Sequence, residues 1–386
     1  MKHLFTAILL SVAAAHAQPS EFQPGKPWLD DKGVHINAHG GGILFHEGTY
    51  YWCGQFMVEG AAGNTAQVGV SMYSSQDLHR WKNEGIALAV SDNPESEIVK
   101  GCLIERPKVI FNRKTGKFVM WFHLELKGQG YNAARSGVAL ADKITGPYQY
   151  LGSFRPNAGV WPSNVPDELT KPLSNEEADA LLKTHFPGGP VPGHPKGSLF
   201  RLHHDGGQMA RDMNLFVDDD GTAYHIYSSE HNSTLHISQL TDDYLKPAGK
   251  YVRIFPSGFR EAPAMFKHRG KYFLFTSGCT GWKPNPARLA RADHIFGPWT
   301  DLGDPCVGPP KETLTTFDSQ PTCILPVQGK SNAFIYMGDR WNPSNPIKAT
   351  HIWLPVQFNQ DGQPFIKWLD RWDFAFFEKT RLMNSR

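Results

Sequence analysis

Three carboxylates and an amide stand at corresponding places along the chain. They are Glu105 in Ile104-Glu105-Arg106-Pro107, Asp212 in Ala210-Arg211-Asp212-Met213, Glu261 in Arg260-Glu261-Ala262-Pro263, and Gln320 in Asp318-Ser319-Gln320-Pro321. Each opens a β-rich run, and His39 in Ala38-His39-Gly40-Gly41-Gly42 opens an earlier one. A single exposed carboxylate is usually a solvated charge. Three in one register, gathered into one pocket, offer an acid to protonate a leaving oxygen and a partner to direct a nucleophile, as glycoside hydrolysis requires. Tyr131, Trp282 and Trp341 could stack on sugar rings, although aromatics this frequent also build cores. The triple glycine precedes a strand rather than a helix, which excludes a phosphate loop, and no Gly-x-Ser-x-Gly elbow occurs.

The elements that must position these residues are repeated hairpins. Paired β-rich runs join through short turns at residues 41–45 and 48–52, 107–111 and 116–121, 213–217 and 221–227, 264–267 and 270–275, and 322–326 and 332–336. Segments 75–81, 141–148 and 292–299 follow three of them. Each turns after an Asp and ends on an aromatic (Trp81, Tyr148, Trp299) that can begin an outer strand. Five such units predict an all-β fold, a five-bladed β-propeller over residues 18–386. Function in propellers gathers near the axis, where each blade's innermost strand begins.

The turn glycines Gly116 and Gly221 lie 105 positions apart, against 49 to 68 for the other gaps, which marks an insertion at about 155–202. It is rich in Pro and Gly, and Ser174 followed by Glu177 has capping-box spacing, so a short helix is expected there. It is either a loop at the mouth of the site or a surface decoration.

Composition limits the partners. The 386 residues carry 39 Lys plus Arg against 37 Asp plus Glu, a net charge of +2, which argues against a nucleic-acid or acidic-membrane partner held by charge. Lys2 and His3 precede an apolar run ending in Ala15-His16-Ala17, so residues 1–17 read as a secretory signal peptide, and a secreted or periplasmic location is expected. No later stretch is apolar enough for a membrane span. The chain is expected to act as a monomer. Of five cysteines, Cys279 and Cys306 are the preferred disulfide pair by chain proximity. No His pair has metal spacing, and no cofactor is required; the axis could hold a structural calcium or other ion through water and His39.

Together these residues carry a family resemblance. Ala38-His39-Gly40-Gly41-Gly42-Ile43-Leu44, Glu105-Arg106-Pro107-Lys108-Val109, Arg211-Asp212-Met213, Tyr227-Ser228-Ser229-Glu230, Arg260-Glu261-Ala262-Pro263-Ala264, Thr276-Ser277-Gly278-Cys279-Thr280-Gly281-Trp282 and Phe317-Asp318-Ser319-Gln320 occur in order over nearly the whole chain. The sequence resembles glycoside hydrolase family 43, in its exo-β-1,3-galactanase-like branch. The resemblance implies that Glu261 is the general acid, that Glu105 holds the terminal sugar and supports the acid, and that Gln320 stands in the place of the base. It implies that Tyr131, Asp212, Asn232, Thr280 and Trp282 line the sugar subsite. It also implies an exo-acting, inverting hydrolase that frees galactose from β-1,3-galactan or arabinogalactan side chains. One departure bears on the sugar: the branch usually reads Tyr-Trp-Tyr-Gly-Glu where this chain has Tyr51-Trp52-Cys53-Gly54-Gln55, so Gln55 keeps hydrogen bonding at a substrate contact but loses the charge. An α-L-arabinofuranosidase on the same scaffold and a non-catalytic carbohydrate-binding propeller are the alternatives.

Overall fold

Each expected hairpin forms, and two further strands complete each blade. The computed structural model describes residues 21–60, 62–65, 69–184 and 199–378; the signal-like segment lies outside them. Blade one is β1–β4 (His39–His46, Thr49–Phe56, Gly69–Ser75, Lys82–Ala89) and blade two is β5–β8 (Leu103–Asn112, Lys117–Glu125, Arg135–Ala141, Gln149–Phe154). Blade three is β9–β12 (Met213–Val217, Ala223–Ser229, Thr234–Leu240, Pro247–Ile254) and blade four is β13–β16 (Glu261–His268, Lys271–Ser277, Arg288–Ala292, Thr300–Gly303). After the short β17 (Cys306–Val307) comes blade five, β18–β21 (Gln320–Pro326, Phe334–Arg340, Thr350–Phe358, Pro364–Lys367), with β17 added parallel to β21. Trp81, Tyr148 and Trp299 each stand one residue before the outer strand of their blade, as their motif predicts. The fold is a five-bladed β-propeller.

Five apolar clusters hold the ring, each between neighbouring blades. At the closure of blade five on blade one, Trp28, Trp52, Trp81 and Trp353 meet at 4.8–6.5 Å between ring centroids. Phe22 stacks on Trp372 at 4.2 Å and its backbone bridges to the same residue. Truncating one such buried tryptophan costs about 3–5 kcal/mol, so the aromatic content of the chain serves ring closure first.

First strands of adjacent blades lie against one another around the axis. Four of them carry a one-residue bulge near their start: between His39 and Gly42, Glu105 and Lys108, Glu261 and Ala264, and Pro321 and Cys323. In the first three, the residue after the opening one is left-handed: Gly40 at φ 61°, Arg106 at 53° and Ala262 at 53°. A bulge bends the strand and re-aims the side chain beside it. The triple glycine is explained by close approach, since a Cβ on Gly41 would lie 1.8 Å from the Cys53 carbonyl oxygen.

The insertion runs along the outer edge of blade three. Ser163 N–H donates to Tyr251 O at 2.8 Å, and the Asn164 side chain pairs with both backbone groups of Arg253. The expected helix is present as α1 (Asn175–Thr184), and its capping box is reciprocal: Glu177 N–H donates to Ser174 Oγ at 3.1 Å and Ser174 N–H to Glu177 Oε2 at 2.8 Å. A second short helix, α2 (Leu199–Leu202), buries Phe200.

The preferred disulfide does not form; all five thiols are free. Cys279 lies beyond the end of β14, its Sγ 3.7 Å from Asn232 O, whereas Cys306 lies on β17 at the outer edge of blade five. Strands β15 and β16 carry the chain outward between them, so nearness in sequence does not become nearness in space.

Candidate active site

The bulges bring the opening residues to one end of the axis, and each faces a polar side chain across its hairpin. In register, His39 faces Gln55, Glu105 faces His123, Glu261 faces Ser277 and Gln320 faces Asp339. Asp212 immediately precedes β9, and its Oδ2 accepts from Ala262 N–H at 3.1 Å, tying blade three to the residue after Glu261.

Arg106 links three blades at the centre. Its guanidinium donates to Gln320 Oε1 at 2.6 Å and to Pro321 O at 3.0 Å, and it pairs with Asp212 Oδ2 at 3.0 Å. Gln320 Oε1 also accepts from Trp341 Nε1 at 2.8 Å, while Nε2 donates to Ser277 Oγ at 2.9 Å. Two donors therefore occupy the carbonyl oxygen, and the group left to Gln320 is one amide N–H.

The two glutamates sit in opposite environments. Burial raises the Glu261 carboxyl, the Asp212 charge raises it further against Arg106 and Arg211, and it reaches about 8. Asn232 Nδ2 donates to Glu261 Oε1 at 2.5 Å, and Asn232 Oδ1 is buried without a partner among the described residues. Burial would raise Glu105 too, but His123, Tyr131 and Arg106 outweigh it and hold that carboxyl below its usual range. Tyr131 O–H donates to Glu105 Oε1 at 2.8 Å, Asn64 Nδ2 to the same atom at 3.2 Å, and His123 Nδ1 lies 3.1 Å from Oε2. Burial would lower His123, yet Glu105 and the fully buried Glu125, 2.8 Å from Nε2, push it up to about 9. At neutral pH this gives a protonated Glu261 and an ionised Glu105 bound to an imidazolium, the separation that assigns acid and supporting carboxylate.

Aromatics line two sides of the opening. Tyr131 is exposed, with Arg211 over its ring at 5.9 Å. Across from it, Trp282, Asn285, Asp318, Gln320 and Trp341 line a cavity in which Trp282 and Trp341 meet edge to face at 5.5 Å. Thr280 is the weakest of the expected contacts: its hydroxyl donates to Lys283 O and accepts from Asn285 Nδ2, so it shapes the loop that carries Trp282. Gln55 is buried at the end of β2, with Nε2 unpartnered among the described residues.

The axis below the site carries the one group expected to bear on a structural calcium, His39. His39, Asp339 and His351 bring ligand atoms within 4.8 Å of one another. Calcium takes six to eight oxygens, and this set offers two imidazoles and one carboxylate. Asp339 is also committed, with Oδ1 2.8 Å from His351 Nδ1 and Oδ2 accepting from Gly40 N–H at 2.5 Å. The residues do not fit that ion. Burial holds His39 neutral, at about 3, with neither ring nitrogen partnered among the described residues. Lys108 lies beside it, its buried ammonium donating to Gly40 O at 2.7 Å and Arg106 O at 3.4 Å, catching carbonyls that two of the bulges expose.

Comparison with known proteins identifies the family. The model of glycosyl hydrolases family 43 matches residues 194–364. A solved β-1,3-galactosidase of family 43, bound to galactodeoxynojirimycin, is 51% identical over 92% of this chain and 100% of that one, with a TM-score of 0.85. The chain belongs to glycoside hydrolase family 43. This family-43 glycosidase is also similar to the exo-β-1,3-galactanase of Clostridium thermocellum (34% identity, 92% of this chain, 66% of that one, TM-score 0.72). The Phanerochaete chrysosporium exo-β-1,3-galactanase solved with β-1,3-galactotriose has 32% identity over 92% of this chain and 68% of that one, with a TM-score of 0.71. Over 97 residues it is 31% identical to a β-D-galactofuranosidase of Aspergillus niger, covering 24% of this chain and 27% of that protein.

Arg106, His123, Ser277 and Trp341 were not singled out for these roles by sequence, although each completes the site. Two of them, His123 and Ser277, stand across the hairpin from an opening residue, as Asp339 does from Gln320, so hairpin register was the signal that could have found them.

A pH profile follows from the two carboxyls. Because Gln320 does not titrate and Glu105 is held low, log kcat/KM should be flat from about pH 5 upward and fall about tenfold per unit above pH 8, as Glu261 loses its proton. Glu261 is raised from 4.5, so its linkage contribution to stability is full below 4.5 and lost as pH rises through about 8. A symmetric bell centred near pH 5 would contradict both assignments.

Proposed function

We propose that this glycosidase is exo-acting and releases terminal galactose from β-1,3-galactan or arabinogalactan side chains, with inversion. The observation that carries the reading is the pair of glutamates driven apart in protonation within one pocket, on a chain similar to β-1,3-galactosidases and exo-β-1,3-galactanases. In this reading Glu261 protonates the glycosidic oxygen. Glu105, held by His123 and Tyr131, accepts hydroxyl hydrogens of the terminal sugar, and Asn232 Oδ1 and Gln55 Nε2 offer further unspent hydrogen bonds to it. Gln320, oriented by Arg106 and Trp341, directs the attacking water through its remaining N–H; as the water bonds the anomeric carbon and the bond to the leaving oxygen breaks, the water's proton passes to solvent, from which Glu261 is reprotonated. Tyr131 and Trp282 supply apolar faces, with Trp282 suited to the sugar on the leaving side. The protein works as an exported monomer and needs no metal for this chemistry.

Incubating the enzyme with β-1,3-galactan and with branched arabinogalactan, and identifying the sugars released, tests the substrate. Galactose should appear from the first hydrolysis onward, without larger galactan fragments. Arabinose as the sole product would replace this reading with the arabinofuranosidase one. Proton NMR of the first-formed anomer tests inversion, which predicts α-galactose from a β-linked substrate.

A further inference from the structure

The insertion has contacts that neither the fold nor the sugar site requires. The turn after β10 places three consecutive non-glycine residues in the left-handed region: Glu230 at φ 51°, His231 at 55° and Asn232 at 64°. Such a run persists only where its surroundings over-determine it. The Glu230 carboxylate is almost fully buried and is gripped by Arg253, Nε on Oε1 at 2.5 Å and Nη2 on Oε2 at 2.8 Å, with His236 Nε2 2.9 Å from Oε1. The Arg253 guanidinium lies 4.3 Å from the centre of the Phe200 ring, which α2 of the insertion buries completely. Asn164, also in the insertion, bonds the Arg253 backbone in both directions. At the far end of this chain of contacts, Asn232 donates to Glu261 Oε1.

Resting on the reading of Glu261 as the acid, we propose that the insertion is a brace for acid catalysis: Phe200 seats Arg253, Arg253 clamps Glu230, and Glu230 holds the turn that sets Asn232 against Glu261. Phe200, Arg253 and Glu230 are thus positioning residues, which act on Glu261 only through Asn232. A second arm reaches the other glutamate. Arg155 donates to Ala133 O at 3.0 Å and Asn132 O at 2.6 Å, bracing the loop that presents Tyr131 to Glu105.

Leaving-group dependence separates a brace for the acid from a merely structural role, because only a poor leaving group needs a placed proton. Phe200→Ala and the near-isosteric Glu230→Gln are to be assayed on β-1,3-galactobiose and on a dinitrophenyl β-galactoside, each also combined with Asn232→Ala. On galactobiose, kcat should fall about tenfold or more, while kcat on the dinitrophenyl substrate stays within about twofold; any rise in KM through the Asn232 contact to the terminal sugar should be shared by both substrates. In the Asn232→Ala background the same changes should add less than about twofold, since the contact they support is gone. Equal losses in kcat on both substrates, or full additivity of the kcat effects with Asn232→Ala, would overturn the brace. Glu261→Gln is the control: if it still hydrolyses galactobiose, the acid assignment itself is wrong, whereas its loss alongside indifferent brace variants removes the brace alone.

Discussion

Glu261→Gln should lower kcat on β-1,3-galactobiose by about 10³-fold or more while leaving sugar binding intact. General acid catalysis contributes roughly 10²–10⁴-fold, and the natural leaving group here is a sugar alkoxide that departs poorly without a proton. Glutamine keeps the shape and can still bond Asn232, so loss of binding is not expected. The same variant should retain most of its turnover of a dinitrophenyl β-galactoside, whose leaving group needs no proton. It should also gain stability at alkaline pH, because the wild type must ionise a buried carboxyl beside Asp212 above about pH 8. Isothermal titration with galactose, kinetics on the two substrates and thermal melts at pH 9 check the three parts. Undiminished turnover of galactobiose would remove Glu261 from the mechanism, and no turnover by the wild type would favour a lectin-like propeller.

Arg106→Lys should cost about 10²-fold in kcat on both substrates alike. The guanidinium meets Gln320, Pro321 and Asp212 at once, at 2.6, 3.0 and 3.0 Å. An ammonium keeps the charge but cannot reproduce a planar fork with three partners. Freed from Arg106, the Gln320 amide rotates and the attacking water loses its place, and misplacement of this size costs about 10²-fold. Water attack is common to both leaving groups, so the substrate ratio that collapses in Glu261→Gln should be preserved here. A loss confined to galactobiose would instead tie Arg106 to the acid. Arg106→Met is a poorer probe because it strands Asp212 in a largely buried setting.

The hairpins, their turn glycines and the residues opening each blade were legible because periodicity and turn chemistry are local. What stands across from those residues was not. In blade two an unbroken ladder continued from Lys108 opposite Trp121 would set Leu124 opposite Glu105; the bulge sets His123 there instead. One added residue turns a leucine into the histidine that keeps Glu105 ionised, and bulges do not announce themselves in a residue pattern. Arg106 lay inside a recognised motif, but its partners come from blades three and five, at separations no local rule spans. The Cys279–Cys306 pairing failed for the converse reason, since two strands of blade four intervene. The insertion declared its helix through Ser174 and Glu177, yet the seat of Phe200 on Arg253 is a long-range contact that composition does not encode.

The repeated bulge has an evolutionary consequence. His39, Glu105 and Glu261 occupy the same backbone socket in three blades, each followed by a left-handed residue, and Gln320 opens a fourth bulged strand. A socket of this kind presents whatever side chain it holds to the same central space without moving the sheet behind it. Single-codon changes among Glu, Gln, His and Asp could therefore rewrite the chemistry of the pocket one blade at a time, with the ring of apolar clusters untouched. The scaffold works like a rack of interchangeable reagents, and its lineage could exchange one hydrolytic specificity for another without first surrendering stability.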